Sequence, residues 1–412
     1  MSQTQSRNRN IVVIGGGPAG VFAAIEAKRT DPAARVVLLT DEACEPYEKP
    51  PLSKAVLTGK ALPEHAPIAG RGGIAAHDVV LEQRATCTAI DRSAREAVTA
   101  SGRRYPYDAL VLATGSLVRE LPQLPLGMPR VHYLRTEADA RALAAALTRC
   151  RRLVVVGGGL IGLEAAASAA ELGVDVTVLE VAPRILARVC DEDTGAFVAD
   201  EHRRHGVVLR TGTAIVRVGG GDDGIAIETD AGGRFLADLV VVGTGVKPND
   251  VLAAAAGLAT DNGIVVDEHC RTSDPAIFGA GDAVGFPGPH GLVRLENWRH
   301  AQDHGAVAGR NAAGASEAYR SVPSFWSEQY DLYIQGVGWP RPVPELRVRR
   351  PLPGNGRLVF EIAGGVLTAA LGINAQRDLA AARRLIERRI PVEAAALADP
   401  ARPLTALLKA TA

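Results

Sequence analysis

The sequence has no excess of charge of either sign. Lys plus Arg and Asp plus Glu each number 46, so the formal net charge is zero. No global field steers the chain toward nucleic acid or an anionic membrane, and a charged partner has to be met by a local patch. There is no run of about 18 apolar residues, which excludes a membrane-spanning helix. The first ten residues, "MSQTQSRNRN", lack an apolar stretch of the kind a secretory leader needs. They read as a polar lead-in to the first strand, and the cytoplasm is the expected compartment. Cys44, Cys87, Cys150, Cys190 and Cys270 form no CxxC pair and no cluster at metal-ligand spacing. An odd, dispersed set argues against a disulfide framework, and no metal site is expected. Low-complexity segments are also missing.

What is present is length and an internal echo. The 412 residues exceed one ordinary core and imply two or three domains. "IVVIGGGPAG" (11–20) returns as "LVVVGGGLIG" (153–162). Each begins with a β-branched run suited to a buried parallel strand and continues into a segment of helical composition. Each then reaches another apolar run, "ARVVLLTDE" (34–42) or "VDVTVLE" (174–180). The repeat is a duplicated strand–helix–strand unit. "YDALVLATG" (107–115), "ADLVVVGTGVKPN" (237–249) and "TSDPAIFGAGDAV" (272–284) each read as a strand running into a glycine turn. Beyond about residue 322, "FWSEQYDLYIQGVGWP", "RLVFEIAGGVLTAALGI" and "QRDLAAARRLIERR" suggest alternating strands followed by a helix.

The glycines carry the chemistry. In Gly15-x-Gly17-x-x-Gly20, the first glycine permits a tight turn and the second lets backbone approach a pyrophosphate. The third lets helix and strand pack closely, and the phosphates sit at the helix start, here Pro18 and Ala19. Asp41 and Glu42 follow at the distance where a carboxylate accepts a ribose hydroxyl. Gly157-x-Gly159-x-x-Gly162, with Leu160 and Ile161 opening its helix, is followed in the same way by Glu180. A carboxylate there favours NADH over NADPH because it accepts the 2′-hydroxyl and repels a 2′-phosphate. Arg184 and Arg188, further on, are candidates for a phosphate contact or for surface charges. Two dinucleotide sites in one chain imply a nicotinamide that delivers hydride and a flavin that receives it and passes electrons on singly.

These motifs, with "PYEKPPLSKAVL" (46–57), "YLRT" (133–136), "VRLENW" (293–298) and "FWSEQYD" (325–331), resemble the FAD-dependent NADH:ferredoxin reductases of the putidaredoxin reductase and Rieske dioxygenase type. These belong to the glutathione-reductase-like flavoprotein group. The resemblance covers about residues 9–408. It implies an α/β fold with two Rossmann-like dinucleotide-binding domains, for FAD and NADH, plus a C-terminal α+β domain. The implied ranges are 1–120 with 245–324 for FAD, 121–244 for NADH and 325–412 for the C-terminal domain.

The resemblance also implies roles. Lys54 lies beside the flavin ring and Glu164 faces that lysine; both are carried as catalytic in the sense of positioning and electrostatics. Asp41 or Glu42 holds the adenosine ribose, Arg135 and the backbone at Cys87 contact FAD, Asp282 bonds the ribityl chain, and backbone near Trp298 meets the ring's pyrimidine edge. Lys49, Ala113, Thr114, Gly115, Gly281, Glu296, Asn297 and Trp326 complete the flavin set. Arg188 and Gly245 join the second loop. His300, next to Trp298, is weighed as a group titrating near the flavin against a packed or solvated histidine.

The implied reaction runs from NADH through tightly bound FAD to a [2Fe–2S] ferredoxin, or a rubredoxin, serving a cytochrome P450 or Rieske oxygenase. A monomer or weak homodimer is expected. An acidic carrier calls for a basic face, for which Arg299, Arg341, Arg347, Arg349 and Arg350 are candidates. The CxxxxC pair of the group's disulfide reductases is absent. Cys44 alone leaves open an NADH oxidase, peroxidase or coenzyme-A-disulfide reductase. A redox-sensing flavoprotein is the other alternative.

Overall fold

The structure, a computed structural model, describes residues 8–221, 223–289, 291–341 and 343–409. The polar lead-in therefore lies, through residue 7, outside the described residues. Strand β1 (Asn10–Ile14), helix α1 (Pro18–Thr30) and strand β2 (Arg35–Leu39) form the first parallel crossover. Strand β3 (Arg152–Val156), helix α2 (Leu160–Glu171) and strand β4 (Asp175–Leu179) form the second. Ile11–Ile14 and Leu153–Val156 are buried without alternation, because both faces of a parallel sheet are covered. Helices α3 (Glu192–Arg204) and α4 (Trp298–Ala312) and strand β5 (Ser324–Gln329) follow along the chain.

The chain divides into two compact units. One comprises the chain up to Glu48, Pro63–Leu117 and Val246–Ser321. Its sheet runs Ile277–Gly279, Ala109–Leu112, β1, β2, Val80–Glu82, all parallel. α4 crosses α1 so closely that a side chain on Gly305 would strike the Ala19 carbonyl, and one on Gly309 the Ala23 carbonyl. Glycine and alanine at matching four-residue spacing on the two helices make that approach sterically possible.

The other unit comprises Lys49–Leu62, Val118–Gly245 and Val322–Ala412. Its parallel sheet runs Val208–Arg210, β4, β3, Leu239–Val242, Val131–Tyr133. A five-stranded antiparallel sheet begins with β5, and the amphipathic helix Gln376–Glu387 buries Leu379, Ala382 and Leu385 in a core shared with Leu358 and Phe360. The C-terminal sheet and the second crossover thus share one compact unit. The "PPLSKAVL" segment (50–57) belongs there too: Leu57 packs with Leu163, Leu332 and Ile334. No helix among the described residues is long and apolar enough to cross a membrane.

Candidate functional site

Both glycine loops have the geometry of an anion cradle. Gly15 and Gly157 adopt φ of 119° and 111°, where a side chain is strained, and each has backbone from a neighbouring strand end in the place of a Cβ. Their N–H groups bond Leu39 O at 2.9 Å and Leu179 O at 2.8 Å, pinning each turn to its second strand. A Cβ on Gly20 would collide with the Gly15 carbonyl, and one on Gly162 with the Gly157 carbonyl. Gly17 and Gly159 cap α1 and α2 without a side-chain hydrogen bond, and nothing lies within 4 Å of where their Cβ would sit. α3 and α4, by contrast, have their first turns satisfied by Asp191 and Asn297. The starts of α1 and α2 have no capping side chain, and the helix dipole favours an anion at such an end. Pro18 and Ala19 open α1; Leu160 and Ile161 open α2.

The acids differ between the loops. Glu180 follows β4 directly and accepts from Gly158 N at 2.5 Å and Ala182 N at 2.6 Å. β2 closes at Leu39, so the corresponding place belongs to Thr40. Asp41 and Glu42 lie on the loop beyond it, with Asp41 exposed and Glu42 accepting from Tyr47 Oη at 2.6 Å. Thr40 and Gly158 escaped the sequence reading because carboxylates and the outer glycines drew the eye. In the second unit Arg184 gives its guanidinium to Ala187 O at 3.1 Å and Cys190 O at 2.8 Å, so it braces its own loop. Arg188 is exposed, and Gly245 sits at φ 98°.

Lys54 and Glu164 do meet. Lys54 ends the 3-10 turn Pro50–Ser53, whose two prolines supply its first positions, and its Nζ is 3.5 Å from Glu164 Oε1. Glu164 is 3% exposed on the inward face of α2. Ser53 donates to its Oε2, and Ser327 Oγ donates to its Oε1 at 2.6 Å. Neither serine was singled out from sequence, although each lies within a motif string, "PPLSK" or "FWSEQYD". Lys49 Nζ reaches Arg135 O at 3.4 Å, and Trp326 lies on β5 beside Ser327.

In the first unit Thr114 Oγ1 donates to Asn249 O at 2.6 Å and Ala113 N to Ile14 O at 2.8 Å, so Gly115 (φ 68°) turns within a tied strand end. Asp282 accepts from Ser116 Oγ at 3.2 Å and its carbonyl from Arg294 at 3.3 Å; Arg294 also pairs with Glu296 at 2.7 Å. Gly281 (φ 75°) donates its N–H to His304 Nδ1 at 3.3 Å. Trp298 meets Phe22 edge-on at 6.2 Å. Burial raises the Glu48 carboxyl, with the Trp298 side chain pulling the other way. His300 is a packed residue: it is 1% exposed, stacks on Phe286 at 4.8 Å, bonds Tyr319 Oη, and burial drives its pKa down to about 3. It does not titrate near neutral pH.

None of the five cysteines is in a disulfide. Burial raises the thiols of Cys87, Cys150, Cys190 and Cys270, the middle two to about 11. Reactive thiols need the opposite shift. Cys44 is half-buried on the loop after β2. Four of the arginines proposed for a basic face are paired: Arg299 with Asp303, Arg341 with Glu345, Arg347 with Glu361, and Arg349 with Asp191 and Asp193. Arg350 is buried and bonds the carbonyls of Leu397, Pro400 and Arg402, so it anchors the C-terminal segment and cannot dock a partner.

Two anion cradles, each on its own parallel crossover, define a protein that binds two dinucleotides. Residues 9–305 match the family described as pyridine nucleotide-disulphide oxidoreductase, and residues 324–408 the one described as reductase C-terminal. The chain belongs to the pyridine nucleotide-disulphide oxidoreductase family. It is similar to the anthranilate 1,2-dioxygenase system ferredoxin–NAD(+) reductase component of Burkholderia cepacia, with 41% identity over 94% of this chain and 97% of the relative. It is also similar to rhodocoxin reductase of Rhodococcus erythropolis, with 37% identity over 95% and 92%. Among solved structures, the covalent putidaredoxin reductase–putidaredoxin complex contains a chain that matches with a TM-score of 0.92 and 35% identity, covering 98% of this chain and 99% of that one.

Proposed function

We propose that this protein is an NADH-dependent, FAD-containing reductase that passes electrons to a small [2Fe–2S] ferredoxin serving a cytochrome P450 or Rieske oxygenase. The observation that carries it is the pair of uncapped, glycine-lined helix starts, one followed by Thr40 and the other by Glu180. The Gly15–Gly20 cradle fits the pyrophosphate of FAD, and we assign Asp282 to its ribityl chain. The Gly157–Gly162 cradle fits NADH, with Glu180 as the ribose acceptor. The relatives' names supply the acceptor class.

FAD, when bound, accepts a hydride equivalent and gives up electrons one at a time. The protein's residues bind, orient and tune. Lys54, held by Glu164, presents a positive charge that stabilises electron density arriving on a neighbouring ring system. The balance is NADH plus two oxidised ferredoxins giving NAD+, two reduced ferredoxins and one proton.

We assign residues 1–120 and 245–324 to FAD, 121–244 to NADH and 325–412 to a C-terminal domain, and place the protein in the cytoplasm. The deciding experiment is NADH-dependent reduction of a panel of ferredoxins and rubredoxins beside oxygen and peroxide. Fast turnover with a ferredoxin, unaffected by Cys44→Ser, is expected. Turnover only with oxygen or peroxide, abolished by Cys44→Ser, overturns the reading.

A further inference from the structure

Glu164 sits at the end of a chain of buried hydrogen bonds that enters from the C-terminal sheet. Ser327, Gln329 and His202 are each at most 1% exposed. Gln329 Nε2 donates to Ser327 Oγ at 3.1 Å, and Gln329 Oε1 lies 2.9 Å from His202 Nε2. His202 Nδ1 lies 3.3 Å from Tyr330 Oη. A carboxylate only accepts, and this fixes the direction of every bond in the chain. Ser327 receives the amide proton of Gln329, so its own proton goes to Glu164. Gln329 Oε1 then accepts from His202 Nε2–H, and Tyr330 donates to His202 Nδ1. Reversing the amide would send the Ser327 proton to Gln329 and turn the serine lone pairs on the carboxylate. Burial lowers His202 to about 4, in keeping with a neutral ring that donates at one nitrogen and accepts at the other.

The consequence falls on Lys54. Glu164 Oε1 already takes a 2.6 Å bond from Ser327, and the ammonium stands off at 3.5 Å. Charge-assisted N–H···O bonds ordinarily close to about 2.8 Å. Oε2 likewise accepts from Ser53, so a serine hydroxyl draws on each oxygen of the carboxylate.

We propose that Ser327 is a positioning residue: its short bond occupies one lone pair of Glu164 Oε1 and competes with Lys54 for that oxygen's charge, which keeps Lys54 in a loose ion pair, so that the ammonium stays near the carboxylate yet available to the flavin. Gln329, His202 and Tyr330 hold the serine proton in that direction. This inference rests on the flavin reading for its purpose, but not for its geometry, which lies wholly in this chain.

The test has two arms. In apoprotein, the rate of Lys54 acetylation by acetic anhydride, read by peptide mass spectrometry, is expected to fall severalfold in Ser327→Ala, because the ammonium collapses onto the vacated Oε1. It is expected to rise in Glu164→Gln. Gln329→Leu follows Ser327→Ala with a smaller change, and Ser327→Thr restores the wild-type rate. In holoprotein, the midpoint potential of bound FAD is expected to move negative in Ser327→Ala and positive in Glu164→Gln. Opposite signs distinguish positioning from a loss of packing, which would move both variants alike. An unchanged Lys54 rate in both Ser327→Ala and Gln329→Leu, or equal shifts in Ser327→Ala and Glu164→Gln, overturns the proposal. Should Ser327→Ala fail to fold, Gln329→Leu decides alone. Failure of the flavin reading shows separately, as protein that binds no FAD while the acetylation pattern stands.

Discussion

Thr40 and Glu180 hold the same post in the two crossovers. Each directly follows the strand whose last carbonyl, Leu39 O or Leu179 O, takes the first glycine's N–H, and each crowds the middle glycine of its loop, Gly16 or Gly158. One duplicated backbone therefore carries a hydroxyl in one copy and a carboxylate in the other. Glu180→Ala is expected to raise the Kd for NADH on the order of tenfold, the value of a charged hydrogen bond, and to narrow the advantage over NADPH. Parallel titrations with both nucleotides check this; unchanged selectivity removes Glu180 from the ribose site.

Gly20→Ala puts a methyl group against the Gly15 carbonyl at the foot of the first cradle. Backbone cannot yield there as a side-chain tip can, and overpacking of this kind costs about 1–3 kcal/mol. The variant is expected to be purified with most of its flavin lost. The ratio of visible to ultraviolet absorbance measures it, and full flavin content would show that the loop does not carry the cofactor.

Lys54→Ala removes the charge held by Glu164 and leaves that carboxylate buried among Ser53 and Ser327. Flavin reduction by NADH in stopped flow is expected to slow by on the order of tenfold or more, or FAD affinity to drop. Wild-type values for both would reject the lysine's role.

Acid should destabilise the fold through its buried histidines. Burial holds His202 to about 4 and His300 to about 3, against 6.5 for an unperturbed ring. Between these values the unfolded chain binds protons that the folded chain refuses. The stability is complete above 6.5 and is lost as pH falls toward the folded values, by about 3 kcal/mol for His202 alone. Denaturant midpoints across that range are expected to fall steeply in wild type and less steeply in His300→Asn. Identical slopes would contradict the assignment.

Gly305→Ala drives a methyl group into the Ala19 carbonyl where α4 crosses α1. Loss of thermal stability and of bound flavin together is expected, because Ala19 opens the helix that starts the first cradle. Loss of neither would mean that the crossing tolerates separation.

The two crossovers were legible in the sequence because their causes are local: β-branched runs make buried strands and glycines make the turns, while spacing placed an acid directly after the strand only in the second. Lys54 and Glu164 were legible only through the company they keep, since 110 residues separate them and no periodicity relates them. The His300 environment, the burial of Arg350 and the pairing of the other four arginines could not be read at all. Each depends on which side chains arrive from elsewhere in the chain, and a charged letter looks the same whether solvated, paired or enclosed.

By itself the sequence determined two glycine-lined crossovers and their order, because backbone conformation and strand burial follow from neighbouring residues. Only the tertiary structure decided that Thr40 answers Glu180, and that Ser327 brings a proton from the C-terminal sheet to the carboxylate facing Lys54. Hydrogen-bond direction is set by which donors and acceptors share a dry interior, and that is decided when distant segments pack.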